Sequence, residues 1–202
     1  MQAKASQLFE FVGISSDSPQ ILEIAKEWGA DYLIQRPTEL ASDQAAKLPA
    51  IQHCAQKIEQ LSKRTFDVFV DLDATSPLRN VEDIRGSVQL LEERGVPNVI
   101  TGTPARRSPY FNLVEMDENG AVHLAKKTAI PIVRRQDAPK CYDLNASIYV
   151  WTRQALFESP SVIAHDTRLY VMPEDRSIDI DSELDFEWVT FLMKKQSNHH
   201  VS

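Results

Sequence analysis

Residues 66–80 read FDVFVDLDATSPLRN, and this stretch decides the fold. Its first part, 66–72, is apolar and β-favouring enough to form a strand. The polar run 71–79 follows directly, and Asn80 then caps a helix carrying Val81, Ile84, Val88, Leu90 and Leu91, which ends near Gly95. Strand, polar loop and capped amphipathic helix make one α/β unit, and the pattern repeats outward in both directions. Upstream, residues 8–15 (LFEFVGIS) read as a buried strand, followed by Ser18 as cap and Pro19 at the first helical position, where no amide hydrogen is needed. Ile21, Leu22, Ile24, Ala25 and Trp28 then fall on one stripe, Gly29 ends the helix, and residues 45–61 form a longer amphipathic helix. Downstream come strands at 96–101, 146–151 and 169–172, and a last helix opened by Ser182-Glu183-Leu184-Asp185. Strands alternating with helices of this length imply a mostly parallel, mixed sheet covered on both faces: a three-layer α/β/α, Rossmann-like architecture.

Residues 109–145 break the alternation. Segments 113–116 and 121–124 flank Asp117-Glu118-Asn119-Gly120, a tight-turn signal, so a hairpin protrudes there from a single domain spanning 1–202. With Tyr110, Phe111, Leu113, Val114 and Ile132, this excursion carries more apolar surface than one domain covers, which points to a homodimer. A formal charge of -7 on 202 residues argues against non-specific nucleic-acid binding but leaves phosphate-bearing small molecules open, since a cation can offset the charge. The two cysteines, Cys54 and Cys141, lack metal-site spacing and read as reduced thiols. No apolar run is long enough for a membrane span, and residues 1–20 lack signal-peptide features; a cytoplasmic location is expected.

In α/β sheets the ligand crevice lies at the carboxyl ends of the strands. Four polar clusters follow strands: 15–18 (SSDS), 71–79 (DLDATSPLR), 145–149 (NASIY) and 179–181 (DID). These pieces, with RPTELASDQAAK (36–47), RRQDAPKCYDLNASIYVWTR (134–153) and SIDIDSELDFEWV (177–189), resemble the acylneuraminate cytidylyltransferase family, the CMP-sialic acid synthetases, in order and spacing over essentially the whole chain. The form LDATSPLR, followed by SPYFNLVE, is closer to bacterial members acting on legionaminic-type nonulosonic acids.

The resemblance implies a reaction in which the anomeric hydroxyl of a nine-carbon keto-acid attacks the α-phosphate of CTP, giving a CMP-sugar and pyrophosphate. It also implies Mg²⁺, with Mn²⁺ as a substitute, held by Asp179 and Asp181, whose i, i+2 spacing lets both carboxylates face one ion in extended chain. Acidic capping of the helix near Ser182 is the competing reading. Asp181 is in addition a candidate to deprotonate the sugar hydroxyl. Arg135 matches a substrate-carboxylate arginine, a role its two-pronged donor geometry suits, with Asn145 and Tyr149 on sugar hydroxyl or amide groups; an exposed loop arginine and core-facing strand residues are the alternative. Asp73, beside Thr75, stands where many relatives carry glutamine and can only accept hydrogen bonds when ionised, which opens the identity of the sugar. Arg36 and Asp43 match the segment near the cytosine base, or else form a loop ion pair. Ser16 and Asp17 border the nucleotide side or cap the helix that follows.

The family's opening strand and RxGSKxxxxKN triphosphate loop find no counterpart: residues 1–6 read as the end of the family's first helix, an offset of roughly 30 residues. Weak or absent CTP turnover by this chain alone is therefore expected, and a non-catalytic homologue binding a sugar or partner, or a CMP-Kdo synthetase relative, are the alternatives.

Overall fold

The computed structural model describes residues 1–42, 45–130 and 132–199. Gln2–Ser6 (α1) ends on Gln7 in the left-handed conformation, and Gly13–Ser16 (β1) follows. The strand starts later than the apolar run suggests. Asp31 takes the Val12 amide at 2.7 Å and the Val12 carbonyl is shared by the amides of Asp31 and Tyr32, so ladder pairing begins only at Gly13. Pro19–Glu27 (α2) is capped by Ser18 as expected. Its apolar stripe is not buried as a unit: Leu22 and Ala25 are half-buried, while Ile21, Ile24 and Trp28 stay largely exposed. Tyr32–Gln35 (β2) pairs parallel with β1.

Lys47–Ser62 (α3) leads to Val68–Leu72 (β3), and Val81–Arg94 (α4) to Asn98–Pro104 (β4). Asn80 and Asp83 form a reciprocal capping box on α4, and Gly95 closes it at φ 59°. Val114–Met116 (β5) and Val122–Leu124 (β6) form the expected hairpin; Asp117 Oδ1 accepts from the amides of Asn119 and Ala121 at 2.9 Å each, and Gly120 supplies φ 82°. Tyr142–Thr152 (β7) is longer than expected and already pairs with β4 at Tyr142, so the excursion rejoins the sheet before Asn145. Arg153–Phe157 (α5), Arg168–Val171 (β8) and Glu183–His199 (α6) complete the chain.

The main sheet has the order β3-β7-β4-β8, with β7 antiparallel to both its neighbours and β4 parallel to β8. Three of its four strands therefore share one direction. The expected single sheet is divided, because β1 and β2 hydrogen-bond only to each other. Side-chain alternation along β7 builds the layers. Ile148 and Val150 pack with Ile84, Val88 and Leu91 of α4 on one face; Tyr149 and Trp151 pack with Ala55 of α3 and Ala155 and Leu156 of α5 on the other. The register shift between Ile100 and Gly102 and the positive φ of Ala146 mark a bulge. There the backbones come so close that a Cβ on Gly102 would sit 2.7 Å from the Asp143 carbonyl oxygen. The bulge re-aims the start of β7 at the carboxyl ends of β3 and β4.

Candidate active site

The loop after β3 is held in shape by one buried arginine. Arg79 Nη1 donates to the carbonyl oxygens of Asp73 at 2.6 Å, Ser76 at 2.7 Å and Ser147 at 3.3 Å. Burial alone pulls the guanidinium pKa down, against the opposing pull of Asp73, Asp71 and Asp83. Three carbonyls drawn onto one cation fold residues 73–79 back against β7, with the Asp73 amide also bonded to Ser147 O at 3.2 Å. Within the loop, Asp73 Oδ1 accepts from Thr75 N at 3.2 Å and Thr75 Oγ1 at 3.0 Å.

Asp71 sits on β3 directly across from Tyr149, on the face that α3 covers. Lys47, at the first position of α3, reaches over this pair. Its ammonium donates to Asp73 Oδ2 at 2.7 Å, lies 3.0 Å from Asp71 Oδ2, and rests 4.6 Å from the centre of the Tyr149 ring, which stacks on Trp151. Burial would raise the Asp73 carboxyl, yet Lys47 and Thr75 hold it below the usual carboxylate value. Lys47 in turn stays above the usual lysine value despite burial, because Asp71 and Asp73 face it. Asp73 and Lys47 are therefore both charged throughout the neutral range.

Asn145 is buried, and both ends of its amide are used inside the protein. Thr101 Oγ1 donates to its Oδ1 at 2.7 Å, and its Nδ2 donates to Ser177 Oγ at 3.0 Å. Ser76 Oγ lies within hydrogen-bond reach of both Asn145 O, at 3.2 Å, and Asp179 Oδ1, at 3.3 Å. Ile180 N donates to Thr75 O at 3.0 Å, which seats the 177–181 segment on the 73–79 loop. Asp179 is thus joined to the loop carrying Asp73 and Thr75, while Asp181 is exposed one step further out. Capping of α6 falls to Ser182 and Asp185, which exchange hydrogen bonds at 2.7 and 3.3 Å. The acidic pair is not needed for that task.

Arg135 lies in a short 3-10 turn and donates to the carbonyl oxygens of Ala105 at 3.3 Å and Arg106 at 3.1 Å, at the carboxyl end of β4. Arg106 makes an ion pair with Glu174, so this edge is tied to the turn preceding Asp179. On the β1–β2 side, Arg36 donates from Nε to Ser15 Oγ at 3.2 Å and from Nη2 to Ser15 O at 2.7 Å. Ser16 is buried and accepts the Ser18 amide at 3.1 Å; Asp17 is exposed. Cys54 faces both Arg36 and Asp71, which places the two sheets' ends close together, and burial pushes its thiol up to about 11. Both cysteines are free thiols, as expected. Asp43 lies outside the described residues.

Sequence reasoning passed over Lys47, Asp71, Ser76 and the role of Arg79. Asp71 left a signal: in FDVFVDL it shares the two-residue period of Phe69, putting a carboxylate on a covered face. Lys47 left none, since a lysine at the start of an amphipathic helix reads as solvated.

A family model described as Cytidylyltransferase matches residues 1–178. Post-translational flagellin modification protein B of Campylobacter coli is 42% identical over 98% of this chain and 83% of its own length. CMP-N,N'-diacetyllegionaminic acid synthase of Campylobacter jejuni is 44% identical over 96% of the chain and 81% of its own length. Among solved structures, CMP:2-keto-3-deoxy-manno-octonic acid synthetase complexed with CTP superimposes with a TM-score of 0.61 at 13% identity, covering 96% of this chain and 86% of that one. The resemblance at that identity is one of fold.

Proposed function

This chain belongs to the cytidylyltransferase family, and from that premise we propose that it transfers CMP from CTP to the anomeric hydroxyl of a legionaminic-type nonulosonic acid, releasing pyrophosphate. One observation carries the reading. Asp179 is bonded to the 73–79 loop, beside Tyr149 and Asn145 at the carboxyl ends of the strands, in a chain 44% identical to a CMP-N,N'-diacetyllegionaminic acid synthase. The sugar end is Asp73, Thr75, Tyr149 and Arg135, with Asn145 behind them holding Ser177. The nucleotide end is Ser16, Asp17 and Arg36, with Asp43 in the same sequence segment.

In the reaction the anomeric oxygen bonds to the α-phosphorus as the bond to pyrophosphate breaks, and the hydroxyl proton leaves to a base, for which exposed Asp181 is the candidate. Phosphoryl transfer of this kind is promoted by positioning and charge neutralisation. The chain's donors fit a hard divalent ion that keeps waters and phosphate oxygens as its other ligands: two carboxylates two residues apart, both freed from helix capping. Mg²⁺, or Mn²⁺ in its place, supplies charge neutralisation at the phosphates when bound. Arg135 then serves the sugar carboxylate by turning its guanidinium from the backbone of 105–106.

No helix among the described residues is long and apolar enough to cross a membrane. Water-soluble substrates, CTP and a nonulosonic acid, suit the cytoplasmic location that belongs to this proposal. Val114, Met116 and Val122 on the hairpin are 54%, 72% and 64% exposed, more apolar surface than a free two-stranded ribbon sustains. A homodimer through this hairpin covers it; light scattering should give twice the chain mass, and Met116→Asp should return the monomer.

Calorimetric titration with a panel of nonulosonic and octulosonic acids tests the substrate class. N,N'-diacetyllegionaminic acid should bind at least tenfold tighter than the eight-carbon 2-keto-3-deoxy-manno-octonic acid, about 1.4 kcal/mol. Equal affinity for the two would overturn the nonulosonic reading.

A further inference from the structure

Lys47 is placed where no capping or core role accounts for it. It starts α3, whose N-cap Ala46 offers no side-chain cap, and its ammonium turns inward across the sheet end. There it meets two carboxylates, Asp71 and Asp73, and the Tyr149 ring. The side chains of Lys47, Asp71 and Asp73 are 40%, 23% and 27% exposed, so the cluster is open to solvent at the carboxyl end of β3 rather than sealed in the core. Without the ammonium this wall of the crevice would present two negative charges to an acidic sugar; with it, one remains. Lys47 also fixes which way Asp73 faces. It takes Oδ2 while Thr75 takes Oδ1, and the lone pairs left over can only accept.

We propose that Lys47 is the positioning residue of the sugar end. It holds Asp73 as an acceptor for a hydroxyl or amide N–H of the substrate and cancels the charge that would repel the substrate's carboxylate. The inference rests on the nonulosonic reading above, and it predicts an asymmetry between the two substrates. Removing the ammonium removes attraction for the acidic sugar and frees Asp73 to rotate, so sugar affinity falls by about tenfold, the scale of one nearby charge in a partly hydrated crevice. Among the described residues Lys47 bonds none of Ser16, Asp17, Arg36, Asp179 or Asp181, so CTP affinity should stay within about twofold. A lysine that merely anchored α3 would weaken both ligands together or neither.

The experiment is calorimetry of the folded chain with N,N'-diacetyllegionaminic acid and, separately, with CTP and Mg²⁺, for wild type, Lys47→Met and Lys47→Arg, with thermal melting as the check on folding. The expected result is a tenfold loss of sugar affinity in Lys47→Met, recovery of most of it in Lys47→Arg, and unchanged CTP affinity in both. Equal sugar affinity in wild type and Lys47→Met, a parallel loss for both ligands, or a loss for CTP alone overturns the role of Lys47. A Lys47→Met chain that fails to fold, with Lys47→Arg folding but binding sugar no better than tenfold below wild type, overturns it too. If wild type binds CTP but no nonulosonic acid, the substrate reading itself falls and this inference with it.

Discussion

Asp83→Ala should lower the melting temperature by roughly 10 °C. Asp83 is 1% exposed and does two things with one carboxylate. It closes the α4 capping box by accepting the Asn80 amide at 2.9 Å, and it grips Arg176 through two parallel bonds, both 2.9 Å. The bidentate pair raises the Arg176 pKa, chiefly through the hydrogen bonds to Asp83. Removing the carboxylate loses the cap, about 1 kcal/mol, and the charge-assisted bonds to Arg176, whose side chain is 27% exposed and stays partly hydrated, about 1.5–3 kcal/mol, together a large part of a typical total of ~5–15 kcal/mol. Arg176 immediately precedes the segment that carries Asp179, so the same substitution should also loosen that carboxylate. Asp83→Asn keeps the size and much of the cap, and should fall about midway. Differential scanning calorimetry reads both.

Arg79→Met should cost about 2–4 kcal/mol and, beyond that, dissolve the 73–79 loop. Its guanidinium serves three carbonyls, and no other side chain bonds the carbonyls of Asp73, Ser76 and Ser147 among the described contacts. With the Asp73 and Ser76 carbonyls unpaired and Ser147 O left only the Asp73 amide, the loop has to open to water to satisfy them. Amide exchange should then accelerate at Asp73, Thr75 and Ile180, whose amides are bonded within or onto that loop, while α4 keeps its protection through its own cap. Arg79→Lys should rescue in part, since all three oxygens meet at the single nitrogen Nη1 and an ammonium also offers three donors from one atom. Uniform exchange across the sheet and α4 alike would mean that Arg79 supports the fold at large rather than the loop.

These two residues show where the sequence speaks and where it is silent. Asn80, Asp83 and Gly95 announce α4 because caps are local chemistry, readable within a few residues. The period of β7 announces its two faces, and Asn119-Gly120 announces the hairpin, for the same reason. The partnership of Asp83 with Arg176 spans 93 positions and leaves no local trace. Nor do the inward turns of Lys47 and Asn145, whose surroundings are assembled from separate loops. The start of β1 was misplaced because Val12 lends its amide to Asp31, a side-chain bond that outcompetes the ladder at that point. The α2 stripe was legible as amphipathic, yet amphipathicity does not say how much of a stripe its own domain covers, and Ile21, Ile24 and Trp28 remain more than half exposed. The acidic pair reads in the sequence as either capping or ligation, and in the fold the cap itself is shared by Ser182 and Asp185.

The metal-assisted part of the proposed reaction stands or falls on that acidic pair. Calorimetric titration of CTP into the folded chain, with Mg²⁺ and then with a chelator in its place, tests it directly, on wild type and on Asp179→Asn. Saturable binding that needs the divalent ion, and that weakens at least tenfold in Asp179→Asn, is the predicted result. CTP binding that is the same with and without the ion, or the same in the variant, would contradict the account.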